Sequence, residues 1–247
     1  MKKTTIFIAV VIAVSAFSFS FATKHVNAVT KSEAAAPAAN ATANANSEVA
    51  DLSNMLIDKI GLEKLGLSTE AIEDAVKGYT KLKEEGKLKN PDLLTIVDMS
   101  QSGRQKRFYL IDLKNQQLLV NTYVAHGKGS GLDKPTNFSD QNESNKTSLG
   151  FYVTKGTYNG KHGTSMRLAG QEAGFNANAE ARGIVVHAAD YVNEGRVNSA
   201  YMGRSQGCPA LSADVYMKVI NLIKDGSALF VYYPDANYLK TSKYLNS

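Results

Sequence analysis

The sequence predicts a mainly β domain, a mixed β-sandwich with peripheral helices, preceded by an N-terminal helical hairpin. Three observations carry that reading. A helical period runs from Glu48 to about Leu88, strand-like apolar runs replace it directly after Asn90-Pro91, and a lone amphipathic helical pattern returns only near the C-terminal end.

Taken in order, the chain opens with a charged Lys2-Lys3 and an apolar run from Ile6 to Phe21, ending at Ser20-Phe21-Ala22. This is the pattern of a secretory signal peptide over residues 1–22, with cleavage as late as Ala28. At 16 residues the apolar run is shorter than the roughly 20 that span a bilayer, so no membrane span is expected once the signal is removed. Residues 29–47 are dominated by Ala, Asn, Ser and Thr, cannot bury a core, and read as a flexible linker.

The helical hairpin is expected over residues 48–90. Leu52, Met55, Leu56 and Ile60 recur at three- and four-residue spacing, as do Ile72, Ala75, Val76, Tyr79 and Leu82. Ser68 is suited to cap the second helix and Gly86 to stop it. From 91 to 235 a single domain is expected. Its strands are Leu94–Met99, Phe108–Leu113 and Gln117–Val124 (the last two a hairpin through Lys114-Asn115), then Gly150–Thr154, Ile184–His187 and Ala228–Tyr233. The polar stretch Gly127–Thr147 exceeds the usual connection length, which points to a functional or disordered loop. Val215, Val219, Leu222 and Ile223 place a helix over about Ser212–Lys224, and residues 236–247 read as a C-terminal tail.

The net charge of +5 falls to about +3 when Lys2 and Lys3 leave with the signal, and only Arg104-Gln105-Lys106-Arg107 is clustered. No nucleic-acid partner is expected from so diffuse a pattern. The chain has one cysteine, Cys208, within Gly203-Arg204-Ser205-Gln206-Gly207-Cys208-Pro209-Ala210-Leu211. In an exported protein a lone thiol cannot form an internal disulfide, and its glycine-rich setting argues for reactivity. A thiol attacks only as thiolate and needs a base. His187, 21 residues upstream at the end of an apolar strand, is the candidate partner. Pro209 has no N–H, so oxyanion donors must lie at or before the nucleophile, most simply the amides of Cys208 and Gly207. Pro209 also suits the start of a helix near Ser212, which would place Cys208 at a helix N-terminus. His126, His162 and His187 have no compact ligand spacing, so no metal is expected, and nothing calls for a cofactor.

His187 followed by Ser205-x-Gly207-Cys208 resembles the L,D-transpeptidase catalytic domain (YkuD-like) signature. Thr147-Ser148-Leu149-Gly150-Phe151-Tyr152 is similar to that family's Thr-Pro-x-Gly-x-Phe stretch. The blocks Ala125-His126-Gly127-Lys128 and Gly160-Lys161-His162-Gly163 resemble the murein branch, whose loop reads Gly-Arg-Ser-x-Gly-Cys-Pro-Ala. The resemblance covers about residues 91 to 235. It implies acyl transfer on peptidoglycan stem peptides, with Cys208 the nucleophile, His187 the base, Gly207 holding the oxyanion and Ser205 shaping the loop. Substrate contacts would fall to Arg204, Tyr152, Gly150, His126 and His162, and the acyl group would pass to the acceptor amine of a second stem. Transfer to water or to a protein amine is the alternative outcome.

The family's commoner form continues Cys-Ile/Val-Arg, whereas Pro209 and Ala210 stand here. The missing cation is either absent or supplied elsewhere, with Arg204 the nearest in sequence. Papain-like peptidases carry cysteine before histidine, and sortases need an arginine after the cysteine strand, so both fit less well. A wall-binding module without activity would have no need to keep Cys208 and His187 together.

Overall fold

The computed structural model describes residues 47–246. The signal peptide and nearly all of the linker therefore lie outside the described residues. Among the described helices none is long and apolar enough to cross a membrane.

Helix α1 (47–54) continues into a π-helical turn at Met55–Lys59, and a short 3-10 turn at Leu62–Leu65 leads to α2 (Thr69–Glu84). Ser68 caps α2 as expected, its Oγ accepting the Ala71 N–H at 3.2 Å. Ile72, Ala75, Val76, Tyr79 and Leu82 all face the interior and join the core of the sheet itself.

The strands are β1 (Leu93–Asp98), β2 (Phe108–Asp112), β3 (Gln117–Thr122), β4 (His126–Gly127), β5 (Gly150–Gly160), β6 (Gly163–Gly170), β7 (Val185–Ala188), β8 (Arg204–Ser205), β9 (Ala210–Leu211) and β10 (Ala228–Tyr232). Eight of them form one mixed sheet in the order β3-β2-β1-β10-β5-β6-β7-β9, and β4 pairs with β8. Every residue of β1 and β10 is buried, which is why both read as unbroken apolar runs: they lie side by side, parallel, at the centre of the sheet. Helix α3 (Tyr216–Ile223) buries Val219, Ile220 and Ile223.

Three elements differ from expectation. Strand β5 runs on to Gly160 and turns back as β6, a hairpin the sequence hid because Thr164, Ser165 and Arg167 interrupt its apolar residues. Helix α3 starts at Tyr216 and not near Ser212, because Pro209 leads into β9; Cys208 therefore does not sit at a helix N-terminus. Residues 236–247, read as a tail, carry helix α4 (Ala236–Thr241) and send Tyr238 and Tyr244 into the core. There the buried Glu172 carboxylate accepts from the Phe151 N–H (2.7 Å), the Tyr238 hydroxyl (3.0 Å) and the Ser242 hydroxyl (2.5 Å).

Sheet register brings the chemistry together. The end of β7 pairs in parallel with β9, His187 opposite Ala210, while β8 pairs with β4 at Arg204–His126 and Ser205–Gly127. The turn Gln206–Pro209 is thus held at both ends by short ladders, beside the strand that carries His187.

Candidate active site

Ser205 knits the cysteine turn. Its Oγ accepts the Gly207 N–H at 3.0 Å and donates to the Cys208 carbonyl at 2.7 Å. Gly207 has φ +129°, and a Cβ there would stand 2.8 Å from the Lys146 carbonyl oxygen and 3.1 Å from Ile184 Cδ1. Both the backbone angle and the space demand glycine. The Gly207 amide, expected to face an oxyanion, is committed to Ser205 instead. The Cys208 amide remains as the donor of that pair.

Cys208 is half-buried, and its thiol donates to the Gly183 carbonyl at 3.7 Å. Burial pushes the thiol above its ordinary value; the Val185 N–H, the Arg182 charge and the Cys208 N–H pull the other way. His187 is 4% exposed and donates its Nδ1–H to the Ala188 carbonyl at 2.7 Å. That bond leaves Nε2 with its lone pair, the form a general base requires. Burial depresses the His187 pKa, opposed by the Ala188 bond and reinforced by His162. The His162 ring stacks on His187 with centroids 4.5 Å apart and planes at 27°.

Cys208 and His187 open onto one groove of about 670 Å³, whose walls also include His162, Arg204, Tyr158 and Tyr191. The long loop 127–147 is folded: the Ser130 hydroxyl accepts the Thr147 N–H at 2.9 Å and the Thr147 hydroxyl accepts the Gly127 N–H at 3.0 Å. Its Asn142, Glu143 and Asn145 form part of the groove wall. A cavity of about 730 Å³ elsewhere, between α1, Tyr79 and the β2–β3 turn, contains neither cysteine nor histidine. Among the described residues no three His, Cys, Asp or Glu side chains converge as a metal site would need.

Of the residues given substrate contacts by resemblance, Arg204 and His162 line the groove, whereas Tyr152, Gly150 and His126 do not. Tyr152 is 1% exposed, and its hydroxyl donates to the Ser148 carbonyl at 2.9 Å. Gly150, at φ +104°, lies buried against the Glu172 carboxylate and Asn176. His126 is 1% exposed; Arg107 Nη2 donates to its Nδ1 at 2.8 Å, so its Nε2–H is the donor to the Gly131 carbonyl at 3.3 Å. All three are buried away from the groove lining. Arg204 donates to the Gly131 carbonyl at 3.2 Å and lies over the Tyr201 ring at 4.7 Å.

Sequence reasoning missed Arg182. Its side chain, 4% exposed, donates to the carbonyls of Ser139 (2.9 Å) and Lys146 (2.8 Å) and to the Ser144 hydroxyl (3.2 Å). It also lines the groove with Cys208 and lies 3.3 Å from where a Gly207 Cβ would be. Its charge also reaches the thiol, lowering the pKa that burial raises. The available signal was a charge set directly before the apolar strand that ends in His187.

Residues 63–232 of the chain match the family model for the L,D-transpeptidase catalytic domain. Among solved structures, the chain is similar to an L,D-transpeptidase from Mycobacterium smegmatis (15% identity, TM-score 0.37, covering 57% of this chain and 59% of that one). It is also similar to the helical cell shape determining protein Pgp2 from Campylobacter jejuni (12% identity, TM-score 0.40, covering 64% and 57%). L,D-transpeptidase 1 from Mycobacterium tuberculosis matches at 14% identity with TM-score 0.32, covering 56% and 60%. The chain thus spans under two thirds of the length of these solved chains. No curated protein gives a match. With 170 of the 247 residues inside the matched region, the chain belongs to the L,D-transpeptidase catalytic domain family.

Proposed function

We propose that the chain is an exported, cell-wall-associated L,D-transpeptidase that cuts and rejoins peptidoglycan stems through a Cys208 thioester. The observation that carries this reading is the pairing of a lone thiol with a histidine on one groove, the histidine's Nδ1–H already committed to the Ala188 carbonyl.

In the first half-reaction the thiol leaves the Gly183 carbonyl and gives its proton to His187 Nε2. The sulfur attacks the carbonyl joining the L-centre of the stem's third residue to its terminal D-Ala. The Cys208 N–H donates to the oxyanion, with about 3 kcal/mol the usual worth of one such donor. Collapse breaks the C–N bond, and the imidazolium protonates the departing D-Ala amine. In the second half-reaction the amine of an acceptor stem attacks the thioester, His187 takes its proton, and the thiolate leaves to recover it. The product is a 3–3 crosslink. Residues 1–22 would deliver the enzyme across the membrane.

Intact mass after incubation with a carbapenem, a β-lactam that acylates enzymes of this type, tests the nucleophile: one adduct is expected on the wild type and none on Cys208→Ala. An adduct that persists in Cys208→Ala removes the thioester from the mechanism. Digested peptidoglycan should then yield 3–3 dimers with the wild type; D-Ala release without dimers would assign hydrolysis instead.

A further inference from the structure

The β5–β6 hairpin runs past its neighbours in the sheet. β10 pairs with β5 only from Gly150 to Val153, and β7 pairs with β6 only at Met166 and Arg167. From Tyr158 to Ser165, among the described residues, the two strands pair with each other alone: Tyr158 with Ser165, Asn159 with Thr164, Gly160 with Gly163. Two contacts brace this arm. The Thr164 hydroxyl donates to Asn159 Oδ1 at 3.1 Å, and the Arg167 guanidinium lies 4.4 Å from the centre of the Tyr158 ring. Gly163, at φ +73°, lets the arm close through the two residues Lys161 and His162.

His162 is exposed at the tip, yet its ring lies against the buried His187, with centroids 4.5 Å apart and planes at 27°. The Ala188 carbonyl holds His187 by one edge, through Nδ1–H at 2.7 Å. A ring held at one edge can still rock about that bond, and a second ring laid on its face removes the freedom. An exposed side chain gives up rotamer entropy to take such a position.

Resting on the acyl-transfer reading above, we propose that His162 is a positioning residue for His187, holding the face of the imidazole whose edge the Ala188 carbonyl holds. It acts on the reaction through the base and not by touching the stem. His162 also adds its charge to the burial that depresses the His187 pKa. Tyr158 and Lys161 stand on the same arm, and Lys128, Glu143, Arg182, Tyr191, Arg204 and Cys208 line the groove from its other walls. All of these stay in place in the variants below, so a change at His187 reads His162 alone.

The experiment compares the wild type with His162→Phe, which keeps a ring on His187 but no charge, and His162→Ala, which keeps neither. With four histidines in the chain, each imidazole resonance can be assigned by substitution, and the titration of His187 is followed by NMR. Its midpoint should rise in His162→Phe, where the charge is lost, and rise further in His162→Ala, where the cover is lost too. Acylation by a carbapenem is timed across the same pH range. Above the His187 titration His162→Ala should react roughly tenfold more slowly than the wild type, short of the roughly 10²- to 10⁴-fold expected when His187 itself is removed. His162→Phe should recover most of that loss. Titration of His187 unchanged in both variants overturns the proposal, and so does an equal loss of rate in both, which would place His162 on the substrate. A wild type that takes no carbapenem adduct would instead count against the acyl-transfer reading, while the His187 titration still judges the contact.

Discussion

The Cys208 thiol donates to the Gly183 carbonyl at 3.7 Å, and Gly183 opens the same short segment that ends at His187. One stretch of chain thus supplies the thiol's resting partner, the Val185 N–H near the sulfur and the candidate base. The resting thiol is protonated, since burial raises its pKa above the ordinary value and a carbonyl can only accept. Alkylation by iodoacetamide should therefore climb close to tenfold for each pH unit through the neutral range, with no plateau below about pH 8. A flat profile there would mean that the free enzyme already holds a thiolate–imidazolium pair.

The Arg182 charge opposes the burial that raises the Cys208 pKa, so its removal should be felt at the sulfur. Arg182→Gln is expected to push the thiol's titration further up, slowing alkylation at fixed neutral pH by roughly threefold to tenfold. Arg182→Lys keeps the charge and should recover most of that loss, although it cannot reproduce the forked contacts to Ser139 and Lys146. Thermal unfolding of both variants separates the two roles. Equal loss of melting temperature in both, with alkylation unchanged in either, would make Arg182 a clamp for the loop and nothing more.

The legible parts of this molecule were those whose cause is local. Unbroken apolar runs announced β1 and β10, the three- and four-residue apolar spacing announced α2, and Cys208 stood out by being alone. What stayed hidden depends on distant partners. Arg182 looks like any surface charge until residues 139–148 fold over it. Tyr152 reads equally well as a groove wall or as core, and only its bond to Ser148 decides for core. Polar residues along β6 concealed a strand, and Glu172 gives no hint in sequence that Tyr238 and Ser242 will close on it from the C-terminal end.

His126 makes acid sensitivity measurable. Burial first, then the Arg107 charge, lowers its pKa from 6.5 to about 4. The folded chain therefore refuses a proton that the unfolded chain accepts, and stability is lost as pH falls from about 6.5 to about 4. Over that window the loss amounts to about 3 kcal/mol. The depressed His187 acts in the same sense, and Glu172, raised by burial, in the opposite one. Comparing wild type with His126→Gln isolates the term. Urea midpoints at about pH 7 and pH 4.5 should differ more in the wild type than in the variant. The same pH dependence in both proteins would show that His126 is not held neutral.

Gly78 sets two effects of opposite sign against each other in the middle of α2. Replacing an exposed helical glycine by alanine usually stabilises by about 1 kcal/mol. Here, however, a Cβ would fall within the Phe151 ring. That ring cannot retreat, because it stacks on Phe230 with centroids 4.1 Å apart and meets the edge of Tyr244 at 5.5 Å. Overpacking of this kind costs about 1–3 kcal/mol or more, so the clash should win. Gly78→Ala is expected to lower the melting temperature by several degrees, at about 2–4 °C per kcal/mol for a chain of this size. Lys77→Ala, one position away and exposed, serves as the control and should change little. The result also decides how the helical segment belongs to the rest. If α2 were a separable appendage, Gly78→Ala would follow helix propensity and raise the melting temperature. A loss places α2 within the same cooperative unit as the sheet that carries His187.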